Sequence, residues 1–374
     1  MLFLNNDDVA QVLTMQDTLK ALEDGHRELA RGDLVARPRV DILTETSREG
    51  SFYQWGTMEG SSKGLHRHAI RMKSDVVSWR DHGGARVEDK YCVQPGLYCG
   101  LVFLLDTETA EPLAIMNDGF LQHVRVGALA GLGAKYLAKA DASVVGMLGA
   151  GGMARTHLEA FAAVRSIERC QVYCPTPAHR EAYAREMSEQ LDVEVVPCTT
   201  PEEAVRGADI LAACTNAVQP IVFNSIIEPG MHLACVSGEI AAEVVSRIDV
   251  AIGGGPVSQI FRGNRIDQSR GFPTYLAGDA SALERARAGA RPAREENKGP
   301  KPRFVPLNEL MDGAAGRLND AEISCSGGVA GADSGEGKQG LQFVTVASLI
   351  YDRAVAAGFG RTVPTEWFLQ DVRD

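Results

Sequence analysis

The hydrophobic rhythm of the chain changes twice. Over 7–31, apolar residues recur at helical spacing (Val9, Val12, Leu13, Leu19, Leu22), which predicts a first helix ending before Gly32. From 36 to 116 the period shortens. Runs such as ARPRVDIL, SFYQWGTM, HAIRMKSDVV and CGLVFLLD are separated by Gly, Asp and Ser turns. LVFLLDTETAEPLAIM places two apolar runs around a polar turn, so an antiparallel sheet with a hairpin is expected. After Asn117-Asp118-Gly119 the rhythm turns helical again. FLQHVRVGALAGLGAKYLA predicts a helix whose small residues permit close packing.

Strands are then expected at 143–148, 169–174, 193–197, 209–213, 231–236 and 248–252, with helices at 152–165, 177–191 and 201–207. Continuous apolar strands alternating with helices bury both faces of a sheet, which argues for a parallel, doubly wound arrangement. Residues 279–303 are charged and poor in apolar side chains, predicting a helix followed by an exposed loop. Residues 327–340 read as a loop by composition, and 341–358 as a last amphipathic helix that returns to the N-terminal part. The expected fold is therefore α/β. A Rossmann-type doubly wound parallel sheet occupies 126–317, and an α+β substrate and dimerisation domain is built from 1–125 and 318–374.

Composition narrows the function. A chain of 374 residues with 45% hydrophobic content has room for about two domains. A net charge of −11 lacks the positive field that holds nucleic acid or an anionic membrane surface. No apolar run approaches the roughly 18 residues of a membrane span, and MLFLNNDDVA has neither a basic n-region nor a long apolar core. The eight cysteines are scattered without a CxxC pair, which points to reduced thiols and a cytoplasmic protein. His66 and His68 form an HxH pair with no third ligand in the same stretch, so a polar strand is expected there and no metal.

Four glycines crowd VVGMLGAGGMART, residues 144–156. Within it Gly149-Ala150-Gly151-Gly152-Met153-Ala154 is a G-x-G-x-x-A pattern between an expected strand and an expected helix. The first glycine permits the turn, the second lets backbone approach a pyrophosphate, and the small last residue lets the helix pack on the strand. The helix N-terminus then presents free N–H groups to the phosphates. The end of the next strand reads YCPTPAHR, with no carboxylate to accept from a ribose 2′-hydroxyl. Thr176, His179 and Arg180 could instead bind a 2′-phosphate, which favours NADP over NAD.

Three cations stand out in the sheet region and its exit. Arg39 lies in an extended run, Lys73 shares a strand face with Arg71, and Arg125 falls in the second turn of the helix beginning near Asp118. Cations gathered at a helix N-terminus attract a carboxylate. The competing reading is that Arg39 and Lys73 decorate a wet sheet face.

LLDTETAEPLAIMNDGFLQHVRVGALAGLGAKYLA followed by VVGMLGAGGMARTHLEA resembles the ornithine cyclodeaminase/mu-crystallin family, and GLQFVTVASLIYDRAVAAGFG continues the likeness. The resemblance implies an NAD(P)-dependent amino-acid dehydrogenase, an imino-acid or ketimine reductase, or a cyclodeaminase, forming dimers through the N-terminal sheet domain. It implies that Arg39 and Arg125 clamp a substrate carboxylate while Lys73 holds the carboxylate or polarises the reacting group. Glu239 in HLACVSGEIAAEV takes the place of the family's acid/base Asp, and Thr215 and Asn216 in ACTNAVQP fall in its nucleotide-facing loop. The Glu for Asp exchange and the shorter loop there weigh against ring-closing deamination. Residues 80–96 and 279–303 look inserted relative to the family, and the first could reshape the pocket mouth. The expected activity is thus oxidoreduction at the C–N bond of an amino or imino acid. The alternatives are an ammonia-lyase using bound NAD catalytically, or a nucleotide-binding or accessory subunit without turnover.

Overall fold

Thr14 divides the first expected helix. Its hydroxyl accepts from the Asp17 N–H at 3.3 Å and caps a new helix, so the single run over 7–31 becomes two, α1 (Asn6–Val12) and α2 (Met15–Arg31). Asn5 and Asp8 cap each other's backbone at the start of α1, and Gly32 closes α2 in the left-handed region at φ 76°. The computed structural model describes residues 1–82, 84–236, 238–253, 265–266, 274–277, 299–328 and 338–370.

Ahead of α1 lies the short strand β1 (Leu2–Leu4). After α2 come β2 (Leu34–Glu45), β3 (Phe52–Ser62), β4 (Arg67–His82), β5 (Ala85–Cys92), β6 (Gln94–Pro95), β7 (Cys99–Asp106) and β8 (Pro112–Asn117). The pairings among β2 to β8 are antiparallel, as the alternating pattern predicts, and β7 and β8 form the expected hairpin. β1 joins this sheet parallel to β8. The register of β2 on β3 shifts between Arg37 and Val40 around Pro38, a residue without an N–H to give the ladder.

The 16-residue β4 is longer than the sheet it belongs to. Its first half, Arg67–Ser74, pairs with β7, while Val76–His82 pairs with β5. Residues 80–96, expected as an insertion, form an arm in which β5 pairs with the end of β4 on one side and with β6 on the other.

Helix α3 (Gly119–Leu137) leads into the second sheet. There β9 (Val144–Leu148), α4 (Gly152–Val164), β10 (Arg169–Tyr173), α5 (Pro177–Leu191), β11 (Glu194–Pro197), α6 (Pro201–Val205), β12 (Ile210–Ala213), β13 (His232–Cys235) and β14 (Val250–Ile252) follow the predicted alternation, and a short helix not expected from the sequence, α7 (Ala242–Val245), lies between β13 and β14. The short strands β15 (Arg265–Ile266) and β16 (Thr274–Ala277) leave for the first sheet, where β16 pairs with Asp41–Thr44 of β2. Then β17 (Arg303–Val305), α8 (Leu307–Met311) and β18 (Ser324–Cys325) return to the second sheet, α9 (Gln339–Ala357) packs on the first, and β19 (Arg361–Thr362) pairs with β1. The second sheet is parallel throughout in the order β11-β10-β9-β12-β13-β18-β14-β17.

The domain division expected at 126–317 and 318–374 is crossed on both sides. β16 belongs to the antiparallel sheet and β18 lies inside the parallel one. Most of the helix-and-loop segment expected at 279–303, and residues 329–337 of the expected loop at 327–340, lie outside the described residues.

Among the described residues, three of the four apolar clusters hold the layers. Leu22, Leu104, Met116, Leu121 and Phe343 join the antiparallel sheet to α2, α3 and α9. Met147, Phe161 and Tyr183 fill one side of the parallel sheet, and Leu211, Leu233 and Val244 fill the other. The small residues of α3 act as expected, since a Cβ on Gly127 would lie 2.4 Å from the Thr156 carbonyl of α4. Among the described residues no helix is long and apolar enough to cross a membrane, and no group of three or more His, Cys, Asp and Glu is placed to hold a metal ion. His66 is exposed and pairs with Glu108.

Candidate active site

In β4 the buried positions read Ala69, Arg71, Lys73, Asp75 and Val77, so three consecutive inward residues are charged. Strand alternation sends all three to the face covered by α9. The wet-face reading of Arg39 and Lys73 is thereby overturned, because both are buried. The register lines up Asp41, Gly56, Lys73 and Gly100 across β2, β3, β4 and β7. The two glycines are the floor of the cluster. A Cβ on Gly56 would lie 2.3 Å from Asp41 Oδ1, and one on Gly100 would lie 1.9 Å from Asp118 Oδ1.

Above that floor the charges pair. Arg39 donates from Nε and Nη2 to the two oxygens of Asp41 at 2.7 Å each. Asp41 also accepts from Gln54 Nε2 at 3.0 Å, and Gln54 Oε1 accepts from Lys73 Nζ at 2.5 Å. Lys73 Nζ stands 3.3 Å from Asp75, and Arg71 Nε donates to Asp118 at 2.6 Å. Burial, with help from the charges of Arg39 and Lys90, lowers the Lys73 pKa well below the usual ammonium range.

Arg125 differs from its neighbours. Its guanidinium donates to two neutral amides, Gln342 Oε1 at 2.5 Å and Gln122 Oε1 at 2.8 Å, and sits 4.7 Å over the Phe343 ring. Among the described residues no carboxylate lies within ion-pair distance of it, and its Nε is buried without a hydrogen-bond partner. Burial and the nearby Arg71 push its pKa down to about 9, which leaves it charged at neutral pH. A buried, charged arginine with only amide partners is a strong site for an incoming anion.

The glycine loop has the form that the sequence predicts. β9 lies inside the sheet, and the chain turns to β10 on one side and to β12 on the other, which makes a topological switch point at its carboxyl end. Gly149 has φ +114°, and a Cβ there would meet the Cys214 carbonyl at 2.4 Å. Gly151 and Gly152 are exposed, with open space where a Gly151 Cβ would point, whereas Ala154 is buried against the sheet. Ala150 lends its carbonyl to Arg155, and Met153 lends its own to His157. These residues fit a bound dinucleotide: room beside bare backbone, at the N-terminus of a 13-residue helix. At the end of β10, Thr176 is the N-cap residue of α5, but its side chain makes no cap hydrogen bond. Arg180 folds back to the Cys174 carbonyl at 3.0 Å, and His179 is exposed beside it.

Thr215 and Asn216 follow β12. The arm meets them there: Glu88 N–H donates to the Asn216 carbonyl at 3.1 Å, and Val218 N–H donates to the Arg86 carbonyl at 2.8 Å. The segment singled out at the pocket mouth thus ties the antiparallel sheet to the loop after β12. Glu239 is fully buried near the carboxyl ends of β12 and β13, beside Cys214 and Cys235, whose pKa values are raised by burial first and by Glu239 second. It is not a solvent-facing carboxylate.

Sequence reasoning missed Asp41, Gln54, Asp75, Asp118, Gln122 and Gln342. A signal existed for some of them. Arg39-x-Asp41 and Arg71-x-Lys73-x-Asp75 place charges at alternate positions in apolar strands, which inverts the usual pattern. Gln342 lies 217 residues from Arg125 and carried no such signal.

The sequence profile of the Ornithine cyclodeaminase/mu-crystallin family matches residues 1–245. A Delta(1)-pyrroline-2-carboxylate reductase of Bacillus cereus is 30% identical over 267 residues, covering 71% of this chain and 74% of the relative. The structure of the Thermococcus litoralis Delta(1)-pyrroline-2-carboxylate reductase, in complex with NADH and L-proline, superposes with a TM-score of 0.70 at 24% identity, over 97% of this chain and 100% of that one. An archaeal alanine dehydrogenase dimer with bound NAD gives 0.68 at 19% identity, over 97% and 99%. The chain belongs to the ornithine cyclodeaminase/mu-crystallin family.

Proposed function

We propose that the protein is an NAD(P)-dependent oxidoreductase acting on the C–N bond of an amino or imino acid, as a dehydrogenase or an imino-acid reductase. The observation that carries this reading is Arg125, buried and charged, with amides where its neighbours have carboxylates. The α-carboxylate of the substrate supplies the missing anion. Arg39 lends a second cation, held in orientation by Asp41. Lys73 lies on the same face, and burial, by lowering its pKa, makes its ammonium a readier proton donor to the substrate nitrogen. Asp75 and Gln54 fix its ammonium, and Glu239 is the second candidate for that proton.

Gly149, Ala150, Gly151, Gly152, Met153 and Ala154 would hold the pyrophosphate, and Thr215 and Asn216 would border the nicotinamide. A nicotinamide bound there supplies the two-electron redox chemistry. Thr176, His179 and Arg180 would meet the adenosine ribose, and the missing carboxylate favours the 2′-phosphate of NADP over NAD. The relatives named as reductases and dehydrogenases support this activity. The antiparallel sheet exposes Val35, Ile42 and Leu101 on the face opposite the cation cluster, a surface suited to a homodimer. All eight cysteines are free thiols, which fits a cytoplasmic protein.

Mixing the protein with NADPH or NADH and a panel of cyclic and open-chain imino acids, followed at 340 nm, tests the proposal. Stoichiometric loss of reduced nucleotide with at least one imino acid is expected, with NADPH preferred. Ammonia release from a diamino acid at constant nucleotide would assign the lyase chemistry instead. Binding of NAD(P)H without turnover of any amino or imino acid would assign a binding role.

A further inference from the structure

His123 belongs to neither the cation cluster nor the glycine pattern, yet it lies between them. It sits on α3 two residues before Arg125, and a Cβ placed on Gly152 would fall 2.8 Å from its Nε2. Its Nδ1 is 2.9 Å from the Gly119 carbonyl, which can only accept, so Nδ1 carries the hydrogen. The neutral ring therefore turns a bare lone pair at Nε2 toward the first residue of α4. That lone pair would repel a phosphate oxygen, and only the protonated ring can donate to one.

We propose that His123 takes up a proton as the dinucleotide binds and donates Nε2–H to its pyrophosphate. The inference rests on reading residues 149–154 as the pyrophosphate loop. The groups facing His123 make it the one that responds. Burial keeps its pKa below the ordinary imidazole value, while on its own helix the Gly119 carbonyl and Asp118 favour the charged ring and Arg125 opposes it. From the sheet, Arg71 reaches the same region through its bond to Asp118. From α4, His157 is held near pKa 4 by burial and stays neutral, while Arg155 is engaged with the Ala150 carbonyl and Glu186. A pyrophosphate dianion added against Nε2 reverses the balance and raises the pKa. By linkage, dinucleotide affinity is then greatest below the bound-state pKa. It weakens as pH rises through that value, by up to about tenfold per pH unit for one proton.

Isothermal titration with NADH, which lacks a titrating 2′-phosphate, tests this without turnover. The whole chain is titrated between pH 6 and 8 in two buffers of different ionisation enthalpy. Expected are net proton uptake by the wild-type protein and a Kd that rises with pH. In His123→Gln, which keeps a neutral donor, uptake should vanish, with a flat Kd about tenfold weaker at pH 6. A wild-type Kd that is flat across this range with no uptake overturns the inference while leaving the dinucleotide site intact, and so does uptake that persists in His123→Gln. If the wild-type protein binds neither NADH nor NADPH, the reading of residues 149–154 falls and takes the inference with it.

Discussion

The two halves of the molecule build their sites by opposite means. The nucleotide site proposed on the parallel sheet uses six consecutive residues, 149–154, and backbone geometry at the end of one strand. The antiparallel sheet makes its site from side chains on β2, β3, β4, α3 and α9, set over Gly56 and Gly100. The first is local and tolerates change elsewhere. The second is collective, because each charge is placed by a partner from a different part of the chain. The arm links the two, since its backbone bonds to residues 216–218 tie the cation-bearing β4 to the loop after β12.

The nucleotide half should be the easier one to break at a single atom. In Gly149→Ala, an L-residue must adopt φ +114° with its Cβ 2.4 Å from a backbone oxygen. A loss of about 2 kcal/mol or more in stability is expected, together with a roughly 100-fold weaker Kd for the dinucleotide, about 2.7 kcal/mol of binding. Urea denaturation and titration calorimetry check the pair. Unchanged affinity would mean that the loop does not grip the pyrophosphate.

Acid separates the halves more gently. His26 in the antiparallel half has its pKa pushed down to about 3, chiefly by burial, and among the described residues its Nε2 has no hydrogen-bond partner. In the nucleotide half His157 is pushed down to about 4, and His232, held between Ser324 and Ser326, to about 3. Each is neutral when folded and protonates near pH 6.5 when unfolded, so the unfolded chain binds more protons as pH falls. Stability should therefore hold above pH 6.5 and drop below it, by up to about 4 kcal/mol per pH unit from the three together near pH 5. His26→Leu should reduce that slope by about a third, read from urea midpoints between pH 7 and 4.5. An unchanged slope would mean that His26 is already protonated in the folded protein.

This contrast also explains what could be read in the sequence. The order of strands and helices from 143 to 252 emerges within a residue or two of the structure, because each element carries its own periodicity and turn residues. The glycine loop was legible for the same reason. Arg39, Lys73 and Arg125 stood out as cations; Asp41 and Asp75 left a signal two residues from them, whereas Gln54 reaches Asp41 only when β2 pairs with β3 and Gln342 reaches Arg125 across 217 residues. The single helix expected over 7–31 failed on one local detail, the Thr14 cap inside an otherwise continuous apolar rhythm. The arm was visible only as extra length, because its bond to Asn216 bridges 128 residues.

The most direct test of the account is Arg125→Ala, measured on both sites at once. The account predicts that kcat/KM for the imino acid turned over falls by a factor on the order of 100 to 1,000, as expected when a buried charge partner of a carboxylate is lost. The Kd for NADPH should stay within about threefold, since 1.4 kcal/mol is a tenfold change and no such interaction is removed from the glycine loop. A parallel collapse of nucleotide affinity, or full activity without the guanidinium, would contradict it.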